Sequence, residues 1–394
     1  MPGYAPGFPA GGPPPQGQQG WSQGSQGPYP PMQPALGAPC APPLVLDPGH
    51  APPPFPTPGQ DPTPGAAAQQ PVAVPPPDAY HAQPNIPQTF QPTGRKKALI
   101  CACNYAGSHC ALGGCINDAH CMAYMLKSRF GFQDADITML TDDQGDPNRW
   151  PTRGNMLYQM QMLTWNTQPG DSLFFHFSGH GSQAPDYTGD ESDGLNETIC
   201  PCDFQTAGMI IDDEINRLLV NPVPPNVRLH AVIDACHSGT AMDLEYRCKA
   251  KHGEINWKME YDHQPSVYKG TAGGEVIQFG AARDRQTAAD TAALSGNVST
   301  GAATFAFIQA VERIGTQITY GQLLMSMAQT LEQVAPAAGD ELLSGAGMQM
   351  SKLGGIGKML NKLIDGARDA VGMSGQQPTM CCNYAFDLNR PLAI

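Results

Sequence analysis

From residue 95 onward, short apolar runs alternate with stretches whose apolar residues recur every three to four positions. "KALICACNY" predicts a strand. "GCINDAHCMAYMLKSRFGF" predicts a helix with Ile116, Met122, Met125, Leu126 and Phe130 along one side. "DITMLTD" follows as a strand, "TRGNMLYQMQMLTWN" as a helix opened by Pro151-Thr152, and "DSLFFHFSG" as a strand. Next come a Gly/Asp-rich loop from Ser182 to Thr198, a short helix over Asp212–Val220 and the strand "VRLHAVIDAC". A long polar connection from Asp243 to Gly274 leads to the strand "EVIQFGAA". Helices at 302–313 and 320–333 and a late strand "CCNYAFDL" complete the pattern. Strands alternating with helices predict an α/β fold, a mostly parallel central sheet with helices on both faces. Ligands then bind at the carboxyl ends of the strands.

Residues 1–94 read differently. They hold 28 of the 40 prolines, lack Lys, Arg and Glu, and carry only Asp47, Asp61 and Asp78 as charges. Such a Pro/Gly/Gln-rich segment has too little apolar surface to offset its ordering entropy, and a disordered tail with polyproline-II character is expected. The folded part then runs over 95–394, large enough for a substantial core. The net charge of −13 falls to about −10 without the tail aspartates. That balance argues against nucleic acid as a partner and favours a cationic substrate or a metal cation. No run of 18 apolar residues exists and no basic-then-apolar leader opens the chain, so a cytoplasmic location is expected. A monomer is also expected.

Twelve cysteines stand at irregular spacing, which does not suit a secreted disulfide scaffold, and reduced thiols are expected. Cys101/Cys103 and Cys200/Cys202 are set more tightly than zinc knuckles, and no second CxxC pair follows.

Two predicted strands end in reactive residues followed by glycine: "FFHFSGHGSQ" in His180 and "AVIDACHSGT" in Cys236. A thiol needs a base within hydrogen-bond reach to become thiolate, and His180 at a neighbouring strand end could supply it. His237 is a poorer base, because consecutive strand residues project to opposite sides. His176 alternates with His180 and is expected in the core. A zinc hydrolase using His176, His180, Cys236 and His237, or a catalytically silent scaffold, is the alternative from the residues alone.

The spans "HFSGHGSQ", "GDESDGLNE", "DDE", "DACHSG" and "ARDRQTAAD" occur in this order, and together they resemble the metacaspases, clan relatives of the caspases. "ALICACNY", "GGCINDA", "LTDD", "PTRGN" and "STGAATFAFIQAV" extend the likeness over roughly 97–335 and 380–394. The tail ahead of contiguous large and small subunit regions is similar to the type I branch, although Cys40 stands alone where zinc-finger cysteines would be expected. The resemblance implies a caspase-like fold and a cysteine endopeptidase with a Cys236–His180 dyad. Cys236 thiolate would attack the scissile carbonyl and His180 would protonate the leaving amine. Backbone N–H groups of Gly181 and Cys236 would stabilise the oxyanion, and water would hydrolyse the thioester.

Charge speaks to the substrate. Asp234 lies two residues before Cys236, on its side of the strand, and Asp118 opens the first helix at the same end of the sheet. Two carboxylates near a nucleophile suit an Arg or Lys side chain. The resemblance agrees, placing Cys115, Asp118, Ser178 and Asp234 around a pocket for a basic residue. It also implies Ca²⁺, held at the positions of Asn196, Asp212, Asp213 and Asp243, with Asn196 standing where an aspartate is usual. Asp190, Glu191, Asp193 and Glu197 crowd the same region, and hard oxygen donors in loops suit that ion.

The layout predicts a large-subunit region at about 95–245, a linker at 246–274 and a small-subunit region at 275–394. Arg247, Lys249, Lys251, Lys258 and Lys269 in or near the linker are candidate self-cleavage positions. Residues 337–379 have no counterpart in the family pattern. Within them 347–372 form a basic amphipathic stretch with Leu353, Ile356, Leu360 and Leu363 on one side, suited to an anionic membrane surface, a partner, or the domain itself.

Overall fold

The apolar runs at the centre of the chain's pattern become strands buried on both sides, which is what a parallel sheet between two helical layers requires. The computed structural model describes Phe90 and residues 92–189, 191, 194–235, 239–251, 254–260, 269–283, 301–334 and 376–394. In chain order the strands are β1 (Lys96–Ala102), β2 (Ile137–Thr141), β3 (Ser172–Ser178), β4 (Gly181–Pro185), β5 (Leu195–Ile199), β6 (Ile210–Ile211), β7 (Arg228–Asp234), β8 (Tyr246–Lys251), β9 (Glu254–Met259), β10 (Glu275–Arg283) and β11 (Gln376–Cys382). The helices are α1 (Cys115–Phe130), α2 (Arg153–Thr164), α3 (Phe204–Ala207), α4 (Asp212–Ile215, continued by one wider turn to Val220), α5 (Ala302–Ile314) and α6 (Tyr320–Val334).

Eight strands make the central sheet in the order β2-β1-β3-β7-β10-β11-β8-β9. The five from β2 to β10 run parallel, and β11, β8 and β9 add antiparallel. One face packs Ala98, Ile100, Phe174, Val232, Ile277 and Phe279 against α1, α5 and α6. The other packs Leu99, Phe175, Phe177, Leu229 and Ala231 against α2 and the α4 turn. Each buried Leu or Phe side chain contributes about 2–3 kcal/mol of apolar transfer energy. The two faces together therefore anchor the strand ends rigidly.

Three expectations change. The loop expected over Ser182–Thr198 is an antiparallel hairpin, β4 with β5, extended by β6. Its strands "GSQAP" and "LNETI" have no apolar alternation to announce them. Its turn is organised by Asp186, whose carboxylate accepts from the N–H groups of Thr188 (2.6 Å), Gly189 (2.9 Å) and Glu191 (3.1 Å). Among the described residues of the linker at 246–274, Tyr246–Lys251 and Glu254–Met259 are strands. Tyr246, Cys248 and Ala250 alternate with Arg247, Lys249 and Lys251, a period-two pattern that the charges conceal. The late strand begins at Gln376 and ends at Cys382, earlier than expected. Tyr384 and Phe386 follow it as buried core residues.

At the amino ends of β7 and β10, Arg228 and Arg390 pair with the buried Glu275, and Tyr384 donates to the same carboxylate. This ion cluster ties the chain's last residues to the end of the sheet opposite the candidate site. Among the described residues no helix is long and apolar enough to cross a membrane. The tail through residue 89 and the stretch 347–372 lie outside the described residues.

Candidate active site

The carboxyl ends of β3 and β7 stand side by side. Their parallel ladder runs from Ser172↔Arg228 to Ser178↔Asp234, and Gly179 N–H continues it onto the Asp234 carbonyl at 3.2 Å. His180 is two residues past Ser178, and Cys236 is two residues past Asp234. The strand that leads to the cysteine is therefore the neighbour of the strand that ends at the histidine. Cys236, His237 and Ser238 themselves lie outside the described residues.

His180 is buried, and its imidazole Nε2 lies 2.8 Å from the Cys110 carbonyl oxygen. A carbonyl only accepts, so Nε2 carries the proton and Nδ1 keeps the lone pair. Burial lowers its pKa from the ordinary 6.5, and the Cys110 carbonyl opposes that shift only in part. At neutral pH the ring is a neutral base with one nitrogen already oriented. The Cys200 N–H donates to the His180 carbonyl at 2.9 Å, which makes His180↔Cys200 a hydrogen-bonded pair of the β4–β5 ladder. By the alternation of antiparallel pairing, the next residue, Gly181, points its N–H away from β5. That direction suits an oxyanion donor.

Behind this end of the sheet two carboxylates are buried together. Ser178 Oγ donates to Asp118 Oδ2 at 2.7 Å, and the Thr304 N–H at the start of α5 donates to Asp234 Oδ2 at 2.6 Å. Burial raises the Asp118 pKa well above the ordinary carboxylate range, and the neighbouring Asp234 raises it further. Asp234 is raised by burial too, against the hydrogen bonds from the α5 amino end. Among the described residues neither carboxylate has an ion-pair partner. Gly301 opens α5 at φ 109, and a Cβ there would stand 3.3 Å from both Asp118 oxygens. Glycine is needed for both the left-handed backbone and the clearance. Cys115 is buried at the first position of α1, and its N–H donates to Asn104 Oδ1 at 3.1 Å.

A second acidic group sits on the β4–β5–β6 sheet. Ligand oxygens of Glu191, Glu197 and Asp212 lie within 4.8 Å of one another, the one such convergence among the described residues. The Glu197 N–H donates to Asp212 Oδ2 at 2.6 Å. Burial, then Asp243, pushes Glu191 up to about 9. Burial, then Asp243, Glu197 and Glu191, pushes Asp212 up to about 10. Beside them Lys269 Nζ pairs with Asp213, and with Asp243 Oδ2 at 2.8 Å. Asn196 is buried with its Oδ1 unpartnered.

Residues 96–245 match the family described as metacaspase, peptidase C14 domain. Metacaspase-2 of Arabidopsis thaliana is 44% identical over 307 residues, covering 74% of this chain and 71% of the relative. Metacaspase-1 of the same plant is 44% identical over 311 residues, covering 78% and 80%. Metacaspase-3 is 45% identical over 244 residues, covering 61% and 66%. The chain belongs to the metacaspases. It carries their cysteine peptidase domain, and its substrates are proteins.

Within this metacaspase the structure brings Asp118, Ser178 and Asp234 together beside the end of β7. Among the described residues His176 belongs to no metal-ligating group: it is buried in the core, its Nδ1 lies 2.9 Å from the Val232 carbonyl oxygen, and burial lowers its pKa to about 4. Of the four expected calcium residues, only Asp212 belongs to the converging trio. Asp243 is hydrogen-bonded to Glu191 of that trio and also pairs with Lys269, whereas Asp213 pairs with Lys269. Lys269 in turn is a poor self-cleavage position, because it is buried and doubly ion-paired. Arg247, Lys249, Lys251 and Lys258 lie in the paired strands β8 and β9, and Arg247 is bound to Glu260 at 2.8 Å. Glu191 and Glu197 were visible in "GDESDGLNE" only as crowding. Their selection depends on the hairpin that brings Glu197 beside Asp212.

Proposed function

We propose that this metacaspase is a calcium-dependent endopeptidase that cleaves after Arg or Lys, with Cys236 as nucleophile and His180 as base and acid. The adjacency of the β3 and β7 ends, with two buried unpaired carboxylates beside them, carries the reading. Nδ1 of His180 takes the Cys236 thiol proton as the thiolate adds to the scissile carbonyl. The same nitrogen returns it to the leaving amine, and the thioester formed is then hydrolysed by water. The N–H groups of Gly181 and Cys236 receive the oxyanion charge. Asp118 and Asp234 meet the guanidinium or ammonium of the residue before the cut, with Ser178 and Cys115 shaping the pocket.

The acidic group on the small sheet fits calcium. It supplies carboxylate oxygens from three residues and the unpartnered amide oxygen of Asn196, all hard donors. Asp212, Glu191 and Glu197 would hold the ion, with Asn196 and Asp243 at its margin. The ion would neutralise carboxylates on the sheet whose first strand begins at Gly181, next to His180.

A pH test follows. The folded pKa values of Glu191 and Asp212 stand above their unfolded values, so the folded protein holds protons that the unfolded chain has released. Without calcium, stability therefore falls as pH rises from 7 toward 9, where the histidines are neutral in both states. Calcium binds the deprotonated group, so its addition should flatten or reverse that slope. Unfolding temperatures at pH 7, 8 and 9, with and without calcium, check this. An identical slope in both would remove calcium from the small sheet.

We also propose that calcium triggers self-cleavage within 246–268. Full-length Cys236→Ala protein incubated with calcium should stay intact, read by gel and mass spectrometry. Cleavage there without added protease would overturn the idea.

A further inference from the structure

We propose that Tyr105 is the positioning residue for His180, its hydroxyl wedged into the β4–β5 ladder to hold the histidine away from the hairpin. The inference rests on reading His180 as the catalytic base. A hydrogen-bonded antiparallel pair exchanges two bonds. At His180↔Cys200 one is direct, Cys200 N–H to the His180 carbonyl at 2.9 Å. The other is interrupted. The His180 N–H donates to Tyr105 Oη at 2.9 Å, and Tyr105 Oη–H donates to the Cys200 carbonyl at 2.6 Å. The phenol thus occupies the place of a structural water and spreads the pair by one oxygen.

The same side chain lies against the imidazole, with ring centroids 4.8 Å apart. It is buried, which pushes its pKa well above 10 and keeps the hydroxyl a donor. Its own backbone is constrained. Tyr105 sits at φ 50, a left-handed conformation uncommon for a bulky residue. Asp142 clamps that turn, taking the Tyr105 N–H on Oδ2 at 2.6 Å and the Asn104 N–H on Oδ1 at 2.9 Å. Cys110, whose carbonyl orients His180 Nε2, lies in the same loop. One loop therefore fixes both the backbone and the ring of His180. Strain retained at such a turn is characteristic of functional positions.

Tyr105→Phe keeps the ring and removes the oxygen. The His180 N–H and Cys200 carbonyl can then pair directly, so the fold has an alternative to an unsatisfied group. The ladder closes by one pair and draws His180 toward the hairpin. A displacement of about 1 Å at a reacting group costs up to about a hundredfold in rate.

The test uses the full chain with calcium and a fluorogenic arginine peptide. Tyr105→Phe should lower kcat about 10- to 100-fold with KM within about twofold. The pH midpoint of Cys236 alkylation by iodoacetamide should move up toward that of an unassisted thiol, about 8.5. The unfolding temperature should stay within about 3 °C of wild type. Wild-type kcat, or a lower kcat with an unmoved alkylation midpoint, overturns the proposal. If the phenylalanine variant does not fold, Gly179→Ala gives the same readouts with the tyrosine present. Its Cβ would stand 2.8 Å from the phenol oxygen and 2.7 Å from Phe177 Cζ, so it displaces the phenol and the Phe177 ring together. His180→Ala run in parallel separates the two readings. Retained activity there refutes His180 as base, whereas an inactive His180→Ala beside an unaffected Tyr105→Phe refutes only the wedge.

Discussion

His180→Ala lowers kcat on an arginine peptide about a thousandfold or more and leaves KM within a few-fold. The imidazole has two tasks on the proposed pathway, taking the thiol proton and delivering it to the leaving amine, and general acid–base catalysis of this kind is worth about 10²–10⁴. Its pocket supports both. Nε2 is occupied by the Cys110 carbonyl, Nδ1 keeps its lone pair, and burial holds the ring neutral below its ordinary pKa of 6.5. The acid limb of kcat/KM should accordingly fall below pH 6.5 and vanish in the alanine variant. Steady-state kinetics from pH 5 to 8 check both. A variant that keeps a tenth of wild-type kcat would place the base elsewhere.

Asp118→Asn gives the second large effect, and its sign differs between activity and stability. In the folded protein Asp118 is buried beside Asp234; both carboxylates are desolvated, and Asp118 is further raised by the charge of Asp234, with no cation among the described residues to offset it. An amide of the same size removes that cost while keeping an oxygen for the Ser178 hydroxyl. Unfolding temperature should hold or rise. Catalysis should move the other way, because a buried charge–charge contact with the substrate is worth about 2–5 kcal/mol, about 30- to 4,000-fold in kcat/KM for arginine peptides. Peptides with leucine at the same position should change less than about threefold. A fall in activity accompanied by a fall in stability would mean Asp118 is structural.

Much of this was legible along the chain, and the reasons are local. The strands β1, β3 and β7 are continuous apolar runs because helices cover both of their faces, so period and composition found them. His180 and Cys236 stood out because glycine follows a reactive side chain at the end of such a run. Asp234 could be placed from strand alternation alone. The β4–β5 hairpin could not, since its residues are polar and its pairing is set by the Asp186 turn. Lys269 read as a candidate cleavage position because its partners are distant, 26 residues away at Asp243 and 56 at Asp213. Tyr105 was hidden for the same reason, its hydroxyl meeting a backbone N–H 75 residues on. Buried ion pairs and side-chain wedges across long separations leave no periodic trace.

The central claim is a thiol peptidase whose paired carboxylates select a basic residue before the cut. The most direct measurement is cleavage of two fluorogenic peptides that differ only in arginine or aspartate at that position. Wild-type and Cys236→Ala protein are compared, each with calcium and with chelator. The expected result is turnover of the arginine peptide by wild type with calcium, and none by Cys236→Ala. The aspartate peptide should be at least about a thousandfold poorer. Preference for aspartate would contradict the account, as would turnover that survives the loss of Cys236.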